Sequence, residues 1–327
     1  MPQTVKENNK PFTAVIISCI LFGMIGIFVK DIKNMEVGSI LFYRLFFGFA
    51  AILAYLAVTG KLEKLQLKQK KHYILLLGVL NTVTMFSYFS AIKHTSIPVA
   101  VLLLYTAPIY VTLLSPFILK ERVTLRSMFA LTLSLSGIVL AVDPAGLMGS
   151  PGSAGVQGSY IAGMFFGLLS GLSYGCSIMT VNYLKETYSA VEQMLWSTGV
   201  SLVLLLPFGI SVPGPVLLDN LGMLIPFGVI ATAFGSLLYL SGVAHIKAQT
   251  AAVLSLLEPV SSICFGCTVL GEPIQANTIG GCLFILAGAF LVGRSTPRRP
   301  RIISGKYFRG IQARLFQPFM PPRPGKL

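Results

Sequence analysis

Two stretches decide the fold: Ile97–Leu119, IPVAVLLLYTAPIYVTLLSPFIL, followed by Lys120-Glu121-Arg122, and Ala248–Leu270, AQTAAVLSLLEPVSSICFGCTVL, followed by Gly271-Glu272-Pro273. Both are long and apolar enough for a helix across a bilayer core of about 30 Å. Each has a proline near its middle, Pro108 or Pro259, and each closes on a glutamate. Laid over one another at an offset of 151 residues, they align Ala100 with Ala251, Pro108 with Pro259 and Glu121 with Glu272. The alignment continues outward through Tyr88/Tyr239, Ser90/Ser241, His94/His245 and Gly137/Gly288, and the first helices agree at 152, pairing Gly23 with Gly175. Leucine coincidences between apolar runs mean little. Proline, glutamate, histidine and tyrosine matches mean more, and they describe a doubled unit.

The rest of the chain has the same character. Hydrophobic residues make up 54% of the 327 and charged residues 11%, against about 25% charged in soluble domains. So few charges cannot cover the surface of a soluble protein this size. Ten runs meet or approach spanning length: Thr13–Val29, Gly38–Val58, Tyr73–Ala91, Ile97–Leu119, Ser127–Val142, Tyr160–Tyr183, Gln193–Ile210, Leu221–Val243, Ala248–Leu270 and Asn277–Val292. Pro144, Gly149–Ser153 and Pro213-Gly214-Pro215 read as loop residues. The expected fold is therefore an all-α membrane protein of ten transmembrane helices. Its first five-helix unit covers Thr13–Val142, its second covers Ser159–Val292, and a basic tail covers Arg294–Leu327. The run at Thr13 is a full span with no cleavage site after it, so it does not read as a cleaved signal.

Charge fixes the expected orientation. With ten spans, one side of the membrane holds both termini and 21 of the 25 Lys and Arg, and the other holds Lys30, Lys33 and Lys93. Arg44 alone lies inside a span. Basic loops stay cytoplasmic, so both termini are expected in the cytoplasm of a cell-membrane protein. Five helices per unit is an odd number, so the second copy must enter upside down. Lys120-Glu121-Arg122 then falls inside, whereas Gly271-Glu272-Pro273 falls outside and has lost both cations.

The formal charge of +14 does not point to nucleic acid. Nine of the cations lie in the tail and most others in short loops beside apolar runs, where they set topology and contact anionic lipids. Five cysteines, all inside apolar runs, give no disulfide framework. Cys264 and Cys267 form a C-x-x-C, but no second pair or nearby histidine completes a metal site. His72, His94 and His245 lie at span ends without a ligand partner. No cofactor or metal is expected, and nothing in the sequence speaks to oligomeric state.

The stretch Ser90–Val123, with Pro108 in mid-helix and Leu119-Lys120-Glu121-Arg122 closing it, resembles the fourth-helix signature of the EamA family in the drug/metabolite transporter superfamily. Leu257-Glu258-Pro259-Val260 through Leu270-Gly271-Glu272 is similar to the matching signature of that family's second repeat. Arg44 stands where many members carry an arginine, and Leu21-Phe22-Gly23 replaces a common Trp-Gly pair. The resemblance runs from Thr13 to Val292. It implies two inverted five-helix repeats and a transporter, often an exporter of amino acids or related metabolites.

Several residues are candidates for lining a substrate cavity. A mid-helix proline removes a hydrogen bond to the carbonyl four residues back, and in lipid that carbonyl must face protein or a watery cavity. Pro108 and Pro259 therefore mark either a cavity or a packing kink. Glu258 is the sole carboxylate at mid-span, where a charge costs at least about 2.5 kcal/mol to insert. Ser255, Glu258 and Ser262 share one helix face. Glu258 is read as a contact for a substrate amine, a proton carrier or a packed, protonated acid. Arg44 is its opposite charge, able to hold a carboxylate bidentately, to pair with Glu258 or to snorkel outward. Polar stripes add Asn81, Thr84 and Tyr88, then Tyr105 and Thr112, Ser170, Tyr174 and Ser177, and Thr232, Ser236 and Tyr239. Each stripe also fits simple interhelical hydrogen bonding.

These features point to a secondary transporter of a small molecule, working by alternating access. The rival is a membrane enzyme acting on a lipid-linked substrate, which needs a cluster of acids, histidines or serines near one interface; these short, acid-poor loops offer none. In the tail, Phe308, Ile311 and Leu315 share a face beside Lys306, Arg309 and Arg314, as in a short basic helix lying on the inner leaflet.

Overall fold

The structure is a computed structural model that describes residues 10–60, 65–95, 97–142, 157–271 and 275–293. The linker 143–156, the tail and residues Glu272 and Pro273 lie outside the described residues. In chain order the helices are α1 (Lys10–Gly23), α2 (Ile25–Asp31), α3 (Val37–Val58), α4 (Lys71–His94), α5 (Ile97–Leu104), α6 (Ala107–Ile118), α7 (Leu125–Val142), α8 (Gln157–Leu184), α9 (Ala190–Ile210) and α10 (Gly214–Phe227). A π-helical segment, Gly228–Gly235, joins α10 to α11 (Ser236–Val243), and α12 (Ala248–Ser255), α13 (Leu257–Leu270) and α14 (Ala276–Gly293) complete the series. No strand occurs among the described residues. Nine helical segments among them are long and apolar enough to cross a bilayer, and Leu125–Ala141 is a shorter apolar helix in the fifth position. The chain is an all-α, multi-pass membrane protein.

Several spans begin earlier than their apolar runs, and in two of them the start has a readable cause. The seventh starts at Ala190, because Ser189 and Glu192 form a capping box: Glu192 N–H donates to Ser189 Oγ, and Ser189 N–H donates to Glu192 Oε2 at 2.7 Å. Those two reciprocal bonds satisfy orphan donors of the first turn. The eighth starts at Gly214, with Pro213 at the cap position and Pro215 in the first turn. Proline is tolerated there because first-turn N–H groups have no intrahelical acceptor. The Pro213-Gly214-Pro215 run is therefore a helix start and not a loop.

The two mid-span prolines break their helices. Pro108 has no N–H to return to Leu104, and the fourth span divides into α5 and α6 with Tyr105 and Thr106 between them. Pro259 likewise leaves Ser255 without its usual donor, and the ninth span divides into α12 and α13 at Leu256, whose N–H reaches back three residues to Val253 at 3.2 Å. Every residue of α12 is buried. Cys19 of the first span donates to the Leu254 carbonyl at 3.4 Å, supplying a partner at the break.

Packing joins the halves closely. The third span lies along the sixth and the first along the eighth; the fourth packs on the sixth and the ninth on the first. The second and seventh spans pack together, as do the fifth and tenth. At the last crossing a Cβ on Gly281 would stand within 2.6 Å of the Ala141 backbone N, so only hydrogen fits. Helices in lipid gain their contacts from such close approach of small residues.

Candidate substrate cavity

A cavity of about 190 Å³ is enclosed by the first three spans, the sixth to ninth, and Leu104 at the end of α5. Its walls are mainly apolar, including Phe22, Ile25, Leu41, Leu77, Met85, Met194 and Leu205, and its charged lining residues are Arg44 and Glu258. At this size it is smaller than the roughly 300–1,000 Å³ of sites for drug-sized ligands.

Arg44 is held on one wall by aromatic stacking. Its guanidinium carbon lies 5.2 Å from the centroid of the Phe227 ring, and Phe227 stacks on Phe28 with centroids 5.2 Å apart and planes 11° apart. A cation over a ring face is attracted by the ring's quadrupole. Arg44 Nε has no hydrogen-bond partner. The backbones here are very close: a Cβ on Gly228 would sit 2.8 Å from the Arg44 carbonyl, and one on Gly48 would sit 2.6 Å from Thr232 Cβ.

Glu258 lines the same cavity, in the first turn of α13. The break at Leu256 gives its carboxylate a helix N-terminus, where negative charge is favoured. The Tyr105 hydroxyl is its neighbour, and Arg44 is within electrostatic reach. Among the described residues, however, Arg44 and Glu258 form no ion pair within 4 Å. One cation and one acid therefore face the same space without neutralising each other directly.

The tyrosines fall into two groups. Tyr174 and Tyr239 line the cavity with their hydroxyls 3.3 Å apart, and Tyr239 continues to Ser255 Oγ at 3.0 Å. Ser255 in turn donates to the Ala251 carbonyl at 2.9 Å. This chain ties the sixth and eighth spans to the last residue of α12, beside the break. Tyr88 and Tyr105 are not part of the cavity wall, although both lie within electrostatic reach of Glu258. Pro108 and Pro259 do not touch the cavity either, but Leu104 and Glu258 beside the two breaks do. Of the remaining stripe residues, Asn81, Thr84, Ser177, Thr232 and Ser236 line the space. Ser170 donates to its own helix at Gly167, 2.6 Å away, and Thr112 does not reach the cavity.

Three contributions were not read from the sequence. Ser197, Thr198 and Ser201 bring a polar face of the seventh span into the lining; the signal was available as hydroxyls at i, i+1 and i+4 in an apolar run. The Phe28–Phe227 stack behind Arg44 and the π-helical turn at Gly228–Gly235 have no comparable signature.

The chain can be compared with known proteins on this basis. The EamA-like transporter family matches it twice, over residues 10–142 and 161–294. An uncharacterized transporter of Archaeoglobus fulgidus is 30% identical over 285 residues, covering 86% of this chain and 95% of that protein. The uncharacterized inner membrane transporter YicL of Salmonella typhimurium is 24% identical over 307 residues, covering 90% and 99% respectively. A solved crystal structure superposes with a TM-score of 0.69 at 18% identity, over 86% of this chain and 95% of the other, a likeness of fold alone. This chain belongs to the EamA-like transporter family.

Proposed function

We propose that the protein is a secondary transporter, acting as an exporter, of a small zwitterionic metabolite such as an amino acid or related compound. The observation that carries this reading is that Arg44 and Glu258 line one cavity without forming an ion pair. Leaving two buried charges unpaired is costly. A ligand with a carboxylate and an ammonium offsets that cost at both ends, and the apolar walls suit the rest of a small molecule.

Alternating access is the proposed mechanism, with the two halves acting as inverted repeats. The packing supports this. Gly23 meets Ser261, and Gly175 meets Tyr110; exchanging the halves by the sequence offsets turns one pair into the other. The pairing of the third span with the sixth is likewise exchanged for that of the eighth with the first. Both helix breaks fall near the middle of their spans, as expected where discontinuous helices frame a site at a repeat interface. The cation asymmetry of the loops further supports cytoplasmic termini in a cell membrane, with anionic lipids at the basic inner face.

Reconstitution into proteoliposomes tests the reading. Vesicles loaded with amino acids and analogues, chosen by resistance profiling of deletion and overexpressing strains, should release a subset of them chemically unchanged. Covalent conversion of the solute would instead indicate the membrane-enzyme alternative, and no movement of any zwitterion would sink the proposal.

A further inference from the structure

The eighth span changes pitch beside Arg44. Gly228–Gly235 (GVIATAFG) is π-helical, and such turns concentrate at functional sites. Thr232, near its centre, is only 3% exposed, lines the cavity and leaves Oγ1 without a hydrogen-bond partner. Three threonines in regular helix do otherwise: Thr82, Thr84 and Thr180 donate to the carbonyl four residues back at 3.0, 2.7 and 2.8 Å. For Thr232 that acceptor would be the Gly228 carbonyl, which instead lies against Gly48 on the second span, 2.8 Å from where a Cβ would stand. Within the π turn the Thr232 hydroxyl is not taken up by its own helix.

The Thr232 hydroxyl belongs to the same crossing as Arg44. Gly228 touches the Arg44 backbone, and Thr232 touches Gly48 one turn further along. One wall of the cavity therefore carries two buried donors lacking acceptors, Arg44 Nε and Thr232 Oγ1. An unsatisfied buried donor is expensive. A ligand group satisfying both must offer two acceptor oxygens and negative charge.

We propose that Arg44 and Thr232 together form an anion subsite, in which Thr232 donates a hydrogen bond to one oxygen of a substrate carboxylate held by the guanidinium. The π turn is the device that presents the hydroxyl. This rests on the zwitterion reading for the presence of a carboxylate and adds a residue that selects it.

The test uses the purified full-length protein in detergent. Its thermal unfolding is followed with L-amino acids, with the corresponding decarboxylated amines and with propionate; ligand bound to the folded state raises the melting temperature. Carboxylate-bearing probes should stabilise the wild type, while Thr232→Val should need about 10-fold or more ligand for the same shift. Thr232→Ser, which restores the hydroxyl, should stay close to wild type. Where valine itself lowers the melting temperature without ligand, Thr232→Ala set against Thr232→Ser makes the same comparison. An equal response of wild type and Thr232→Val overturns the subsite and leaves the zwitterion reading standing. No response of the wild type to any carboxylate-bearing probe overturns both.

Discussion

The backbone N–H of Ala248 donates to both carboxylate oxygens of Glu121, at 3.1 and 3.3 Å. Ala248 is the first residue of α12, and Glu121 closes the fourth span with only 4% of its surface exposed. Gln249 adds a bond to Ser115 Oγ at 2.8 Å. An acid at a helix N-terminus satisfies an orphan N–H and favours the helix dipole. Removing it from a buried site should cost about 1–3 kcal/mol. Glu121→Ala is therefore expected to lower the melting temperature of the detergent-solubilised protein, and Glu121→Gln, which keeps one acceptor oxygen, to lower it less. Equal melting of Glu121→Ala and wild type would show that the contact contributes nothing to stability.

The crossing of the second and eighth spans should be intolerant of a single methyl group. A Cβ at Gly228 would fall 2.6 Å from Phe47 Cβ, 2.8 Å from the Arg44 carbonyl and 2.9 Å from the Gly48 nitrogen. Two of those three are backbone atoms, which cannot swing aside. Gly228→Ala is expected to lose about 1–3 kcal/mol of stability through overpacking. Gly222→Ala, in the same span, meets nothing within 4 Å and should be neutral or slightly stabilising through helix propensity. Expression level and thermal melting of the two variants, measured side by side, check the contrast.

Much of the architecture was legible in the sequence because hydrocarbon imposes it. Span lengths follow from bilayer thickness, and the fourth and ninth helices break beside Pro108 and Pro259 because a proline has no N–H to give. Span starts were less legible. Ser189-x-x-Glu192 is a readable capping signal that extends the seventh span, and Pro213-Gly214-Pro215 has the composition of a loop although it begins a helix. Arg44, Glu258, Tyr174 and Tyr239 could be named as cavity residues because polar groups are scarce in these spans. Tyr88 and Tyr105, which do not line the cavity, could not be separated from them, since periodicity gives a helix face but not its neighbour. The π turn packs against Gly48, a contact between distant parts of the chain that a local sequence pattern does not encode.

Topology gives a third prediction. If the halves are inverted, the linker between Asp143 and Gly158 and the end of the tenth span lie on opposite sides of the membrane. A reporter active only in the cytoplasm should work when fused after Val292 and fail when inserted in that linker. A reporter active only outside should give the reverse. Matching signals at both places would require an even number of spans between them and would rule out two five-helix units of opposite orientation.

The last prediction separates transport from packing at Glu258 and Arg44. The two share a cavity but not an ion pair, so each should recognise a different part of a zwitterion. Glu258→Gln keeps shape and hydrogen-bonding capacity while removing the charge, so it should leave insertion and melting temperature near wild type. Its affinity for amino acids should fall roughly 10- to 100-fold, the worth of a charge-assisted hydrogen bond, while binding of the deaminated acid is little changed. Arg44→Gln should show the opposite selectivity, losing the acids and keeping the amines. Glu258→Leu offers a further contrast, since it leaves the neighbouring Tyr105 hydroxyl beside an apolar side chain and should lower stability as well as binding. Competition against a labelled amino acid in proteoliposomes reads all three. If Glu258→Gln transports at the wild-type rate with unchanged selectivity, the acid is a packing element. The amine would then have to be recognised elsewhere in the cavity, with the Tyr174–Tyr239 hydroxyl pair as one set of acceptors.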